Sequence, residues 1–181
     1  MLLDKTAPIE SKPLRFASID NPTISGSDVL VRVRACGVCR SNLHMIEGDW
    51  LKRGFPAKSP IIPGHEIVGI VESIGKDVKD IEIGDRVGIQ PLYHACGTCE
   101  YCLSGRENIG KRKLITGQSV DGGYAEYIKV PYRFVYKVPD RFSDAEATPL
   151  FCPGVTAYKA VKYSNASPGK MIAIFGIGGV G

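Results

Sequence analysis

No run of apolar residues in this 181-residue chain approaches the ~20 needed to cross a bilayer. The N-terminus, Met1-Leu2-Leu3-Asp4-Lys5, lacks the apolar core of a signal peptide. There is no internal repeat, no low-complexity segment and no strong charge of one sign. The formal net charge is +4 and spread out, and the only basic run is Lys111-Arg112-Lys113. These absences argue against a membrane partner and against nucleic acid. What remains is an ordinary globular composition, 44% hydrophobic and 23% charged, long enough for one buried core. The expected location is cytoplasmic. Disulfides are rare there, so six cysteines call for metal binding or catalysis.

Short strands with Gly and Pro turns dominate the first three quarters of the chain. Val29, Val31, Val33 and Ala35 alternate with polar or larger residues, as a half-buried strand does. The spacing predicts a short helix over Ser41 to Ile46, with Ser41 near its N-cap. Ile67 to Ile74, Gly84 to Ile89, Gly123 to Val130 and Phe134 to Val138 carry strand signals, the second opening on a turn. This pattern argues for an all-β, barrel-like domain. After Pro139 the character changes. Ser143-Asp144-Ala145-Glu146 is a capping box that opens a helix, and a second helix is expected over Gly154 to Tyr163. Met171 to Phe175 is a continuous apolar run, as in a parallel strand buried on both faces.

Five features carry candidate chemistry. Cys36-Gly37-Val38-Cys39-Arg40-Ser41-Asn42-Leu43-His44 offers two thiols, a guanidinium, a hydroxyl and an imidazole within nine residues. On its own it reads either as a redox CxxC or as half of a zinc site. Cys96-Gly97-Thr98-Cys99-Glu100-Tyr101-Cys102 has the spacing of a metal-binding lobe but lacks a fourth thiol, and Glu107 is the nearest plausible carboxylate. Gly64-His65-Glu66 enters the Ile67 strand, and Cys152 sits at a helix junction. Either one, taken singly, is as well explained by packing. Finally, Gly176-Ile177-Gly178-Gly179-Val180-Gly181 matches G-x-G-x-x-G directly after the predicted strand, the context in which such glycines approach a pyrophosphate.

Taken in order, the motifs CGVCRSNLH, PGHE, GDRV, CGTCEYC, DGGYAEY, FCPGVTAY and GIGGVG resemble those of the zinc-dependent medium-chain alcohol dehydrogenases. The resemblance runs along essentially the whole chain. It implies a mainly β fold with a few helices: a GroES-like β-barrel catalytic domain over 1–140, with a zinc lobe at about 91–117. Residues 141–181 would supply connecting helices, then the first strand and Gly-rich turn of an incomplete Rossmann α/β domain. It further implies that Cys39, His65 and Cys152 hold a catalytic zinc, with Glu66 beside it and able to ligate it. Ser41 and His44 would relay the proton. Arg40, Thr156, Gly176, Gly178 and Gly181 would face NAD or NADP. Trp50 would be a pocket wall or core, and Cys36 mere packing.

Two departures stand out. Asn42 occupies a position where the family commonly has Asp, and Gly110 the place expected for the lobe's fourth cysteine after Cys96, Cys99 and Cys102. The implied activity is interconversion of a small alcohol with its aldehyde or ketone. The 181 residues alone are expected to be inactive, for want of most of the dinucleotide domain. Three readings follow: the catalytic part of a dehydrogenase, a zinc-binding module without hydride transfer, or half of a split enzyme completed by a second polypeptide. A homo-oligomer fits any of them. Quinone reductases share this fold but lack the ligands, and the joint presence of Cys39, His65 and Cys152 argues against them.

Overall fold

The computed structural model describes residues 1–181. In chain order its elements are β1 (Leu2–Leu3), β2 (Leu14–Arg15), β3 (Asp28–Gly37), α1 (Arg40–Glu47), β4 (Glu66–Ile74) and β5 (Arg86–Ile89). There follow β6 (Leu92–His94), α2 (Glu100–Leu103), β7 (Leu114–Ile115), β8 (Tyr127–Pro131), β9 (Val135–Lys137), α3 (Asp144–Ala147) and α4 (Pro153–Tyr163). The central sheet has five strands in the order β8-β3-β4-β5-β9, every neighbouring pair antiparallel. Its two edge strands follow one another in the chain, joined only by the 3-10 turn Tyr132–Phe134. Laid flat, five strands would hold those edges about 19 Å apart at the usual strand spacing. A single 3-10 turn at about 2 Å per residue spans much less, so the sheet must curl towards a barrel.

The curled sheet encloses a core of Val29, Val31, Ile67, Val71, Val87, Ile89, Ile128 and Val130, all of them buried. The alternation expected from Val29 onward holds at Val29 and Val31. Register shifts after Leu30 and after Val33 then bend β3 and bring its far end, Gly37, opposite Glu66. A second cluster, Leu3, Met45, Ile46 and Ile61, pins α1 to the N-terminal strand. No helix is long and apolar enough to cross a membrane.

Several boundaries differ from the sequence expectation. Helix α1 starts one residue earlier, so Cys39 rather than Ser41 is its N-cap, in extended backbone. The strand expected from Gly123 begins only at Tyr127. Gly122 and Gly123 are instead spent on hydrogen bonds to the carbonyls of Ile62 and Gly64. The capping box forms as read: Ser143 Oγ accepts from the Glu146 N–H, and Glu146 returns to the Ser143 N–H at 2.9 Å.

The run Met171 to Phe175 forms no ladder. Met171 and Phe175 are fully exposed, and no strand lies beside them. A parallel strand gains its stability from neighbours on both sides, and the 181 residues supply none there, so apolar character alone does not make it a strand.

Candidate metal centre

Cys39, His65, Glu66 and Cys152 converge from three places in the chain. Their ligand atoms all lie within 4.8 Å of one another. Cys39 arrives as the N-cap of α1, and His65 and Glu66 at the start of β4. Cys152 sits between the 3-10 turn Thr148–Phe151 and α4. The Cys39 and Cys152 sulfurs are 3.7 Å apart. Two thiolates on one tetrahedral zinc, at about 2.3 Å each, would stand about 3.8 Å apart. Two soft sulfurs, an imidazole nitrogen and an available carboxylate form a donor set suited to zinc.

The electrostatics fit the same role. The Cys39 thiol is held far below its ordinary range. Cys152 donates to it, His65 adds a second bond, and the Ser41 hydroxyl donates at 3.2 Å. Cys152, holding the shared proton beside that thiolate, is pushed up. Burial, and then the Cys39 charge, raise the Glu66 carboxyl. One thiolate, a second thiol sharing its proton and a carboxyl raised by the neighbouring charge form a group that would release protons to a divalent cation. Ser41 Oγ also stands 3.4 Å from His65 Nε2, on the rim of the cluster.

His65 Nδ1 and Asn42 Oδ1 are the two buried side-chain atoms without a hydrogen-bond partner. Asn42 spends its amide N–H on the Tyr124 hydroxyl at 2.8 Å. With its proton on Nδ1, His65 would turn the Nε2 lone pair towards the sulfurs, as a ligand must.

Three supports emerge that the sequence did not reveal. An ideal Cβ on Gly37 would fall 2.1 Å from Glu66 Oε2, so only glycine leaves room for that carboxylate. Gly88 in β5 is overlaid by the Phe151 ring, which fixes the residue next to Cys152. Arg86 donates to Asp144 Oδ1 at 2.8 Å, to the Phe142 carbonyl at 2.7 Å and to the Pro139 carbonyl at 3.2 Å, tying the Cys152 segment to the sheet. The motif GDRV was the only signal for Arg86.

The remaining candidates are dispersed. His44 Nδ1 pairs with Asp49 Oδ2 at 2.7 Å, and its ring stacks on Trp50 at 5.9 Å. Trp50 also packs against the α1 cluster. Cys36 is packing: burial drives its thiol up to about 12. Arg40 is exposed, as is Thr156 on a groove of about 1450 Å³ beside α4. Neither that groove nor a second cavity of about 940 Å³ is lined by the four-residue cluster. Gly176, Gly178 and Gly181 lie in an exposed turn with no helix after it.

In the cysteine lobe, Cys96, Cys99 and Cys102 converge, and Glu107 does not join them. The N–H groups of Thr98 and Cys99 pull the Cys96 thiol down to about 5.

Residues 25–140 match the family model described as the alcohol dehydrogenase GroES-like domain. The chain belongs to the alcohol dehydrogenase family. An alcohol dehydrogenase of Geobacillus stearothermophilus is 51% identical over 179 residues, which is 98% of this chain and 52% of that protein. The solved alcohol dehydrogenase of the archaeon Aeropyrum pernix superposes with a TM-score of 0.80 at 35% identity, covering 93% of this chain and 49% of that one. CAD from Helicobacter pylori, solved in complex with NADP(H), gives 0.70 at 30% identity, over 78% of this chain and 42% of its own. The chain thus spans about half the length of the relatives it matches. The chain carries the GroES-like part of this oxidoreductase family.

Proposed function

We propose that this chain is the metal-bearing half of a zinc- and NAD(P)-dependent dehydrogenase that interconverts a small alcohol with its aldehyde or ketone. The observation that carries the reading is the convergence of Cys39, His65 and Cys152, with Glu66 beside them. Three of these would ligate zinc, leaving a fourth position for substrate or for Glu66. When bound, zinc supplies Lewis-acid polarisation of the substrate oxygen, and the nicotinamide supplies the hydride acceptor.

The chain's own residues manage the proton. Ser41 Oγ, within reach of the Cys39 sulfur and of His65 Nε2, is the group nearest to where an alcohol oxygen would bind. It accepts the alcohol proton while giving its own towards His44, one helical turn further along α1. Asp49 holds the His44 ring by Nδ1 at 2.7 Å, and the half-exposed imidazole passes the proton to water. Arg40 and Thr156 would meet the cofactor.

Metal analysis of chain purified without chelators tests the reading. Zinc should be present, and Cys152→Ser or His65→Ala should each remove one equivalent while the fold persists. A preparation without zinc, or a count unchanged by both variants, refutes the assignment. NADH titration followed by nicotinamide fluorescence tests the cofactor end. With residues 171–181 exposed and unpaired, these 181 residues should give no saturable signal, and binding would overturn that expectation.

A further inference from the structure

The Cys96-Cys99-Cys102 lobe departs from a closed four-thiolate site in a way that has a chemical consequence. The Cys96–Cys102 and Cys99–Cys102 sulfur separations are 3.7 and 3.5 Å. Thiolates at about 2.3 Å from one tetrahedral ion stand about 3.8 Å apart. Two edges of the sulfur triangle therefore already have the length of a coordination tetrahedron's, and all three sulfurs lie within 4.8 Å of one another. An ideal Cβ on Gly110 would lie 3.7 Å from Cys99 Sγ and 3.9 Å from Cys102 Sγ. Gly110 thus faces the missing vertex, with its hydrogen atom where a ligating side chain would start. Glu107 cannot substitute: its carboxylate stays outside the group, and its carbonyl is taken by the Gly110 N–H at 3.0 Å. Gly110 itself is buried, so the vertex is confined, whereas the three cysteines are only half-buried.

We propose that the lobe is a three-thiolate site for a thiophilic divalent cation of the zinc or cadmium type, whose fourth ligand is a small exogenous donor in the space left by Gly110. Three thiolates on a divalent ion leave a charge of minus one, which Arg112, hydrogen-bonded to Thr98 at 3.0 Å, is set to offset. Water fills the vertex by default, and a small anion replaces it. The ion is consequently held less tightly than by four thiolates and exchanges with solution ligands. This inference does not depend on the chain's being a dehydrogenase.

The test uses Co²⁺ as a spectroscopic substitute for zinc, in a Cys39→Ser/Cys152→Ser background that removes the other thiolate pair. Azide added to the loaded chain should shift the visible spectrum. Gly110→Cys should abolish that response and tighten zinc binding at least tenfold, measured by chelator competition. A spectrum indifferent to azide, or Gly110→Cys binding no tighter, overturns the proposal. Alkylation followed by mass spectrometry on the otherwise unaltered chain gives a second readout independent of the background. Zinc should protect Cys96, Cys99 and Cys102 together, and Gly110→Cys should slow the residual labelling. Unprotected lobe cysteines at saturating zinc would likewise overturn it.

Discussion

Gly88→Ala should disable the Cys39-His65-Cys152 centre without touching any of its residues. Gly88 is buried in β5, and an ideal Cβ there would stand 1.8 to 2.4 Å from three atoms of the Phe151 ring. Ordinary contact begins at 3.4 Å, so the ring must retreat by about 1.6 Å. The clash is with the far edge of the Phe151 ring, Cζ and both Cε atoms, which moves only as one rigid plane, and β5 is held between β4 and β9. The strain therefore passes to the 3-10 turn Thr148–Phe151 and to Cys152 next in sequence. Overpacking of this kind costs about 1–3 kcal/mol. The metal pays more heavily, because a zinc–sulfur bond tolerates only about 0.2 Å. A shift of an ångström at Cys152 would open the site, with a loss of about 100-fold in affinity.

Calorimetric zinc titration with parallel thermal melts would measure both effects. Adding Phe151→Ala removes the clash, so Gly88→Ala/Phe151→Ala should bind zinc better than Gly88→Ala alone. That non-additivity separates a transmitted displacement from a generic weakening of the sheet. Wild-type affinity in folded Gly88→Ala, or strict additivity in the double variant, would refute the reasoning.

Three further outcomes are expected. Asn42→Asp puts a charge in place of the buried amide that donates to the Tyr124 hydroxyl, so the metal-free melt should fall, as read by calorimetry. Arg86→Ala removes three donated hydrogen bonds that tie the Cys152 segment down and should cost about 2 kcal/mol in chemical unfolding, with Arg86→Lys recovering only part because it lacks the planar fork. Ser143→Ala breaks the capping box at a cost of about 1 kcal/mol. The Ser143 hydroxyl and backbone N–H hold the Glu146 carboxyl below its ordinary value, so that share of stability is present above about pH 4.5. It is lost as pH falls through the depressed value, and the penalty of Ser143→Ala should therefore shrink in acid melts.

The parts of the molecule legible in sequence are those whose cause is local. The capping box at Ser143 needs only four residues, and the strand from Ile67 announces itself by composition, so both form where expected. The thiols of the two cysteine clusters are visible as chemistry from their spacing, whereas His65 and Cys152 gain that meaning only when the motifs are taken in order. What sequence could not reveal is contact between distant residues. Gly37 means nothing until β3 and β4 pair in a register that sets it opposite Glu66, and the bulge that produces this register has no mark in the alternation of valines. Gly88 and Arg86 acquire a role only through a segment more than fifty residues away. The run Met171 to Phe175 errs in the other direction: its composition is right for a buried strand, and the neighbours that would bury it are not in these 181 residues. Gly110 joins both cases. As a letter it marks the absence of a cysteine, whereas beside three converging sulfurs it leaves room for a different ligand.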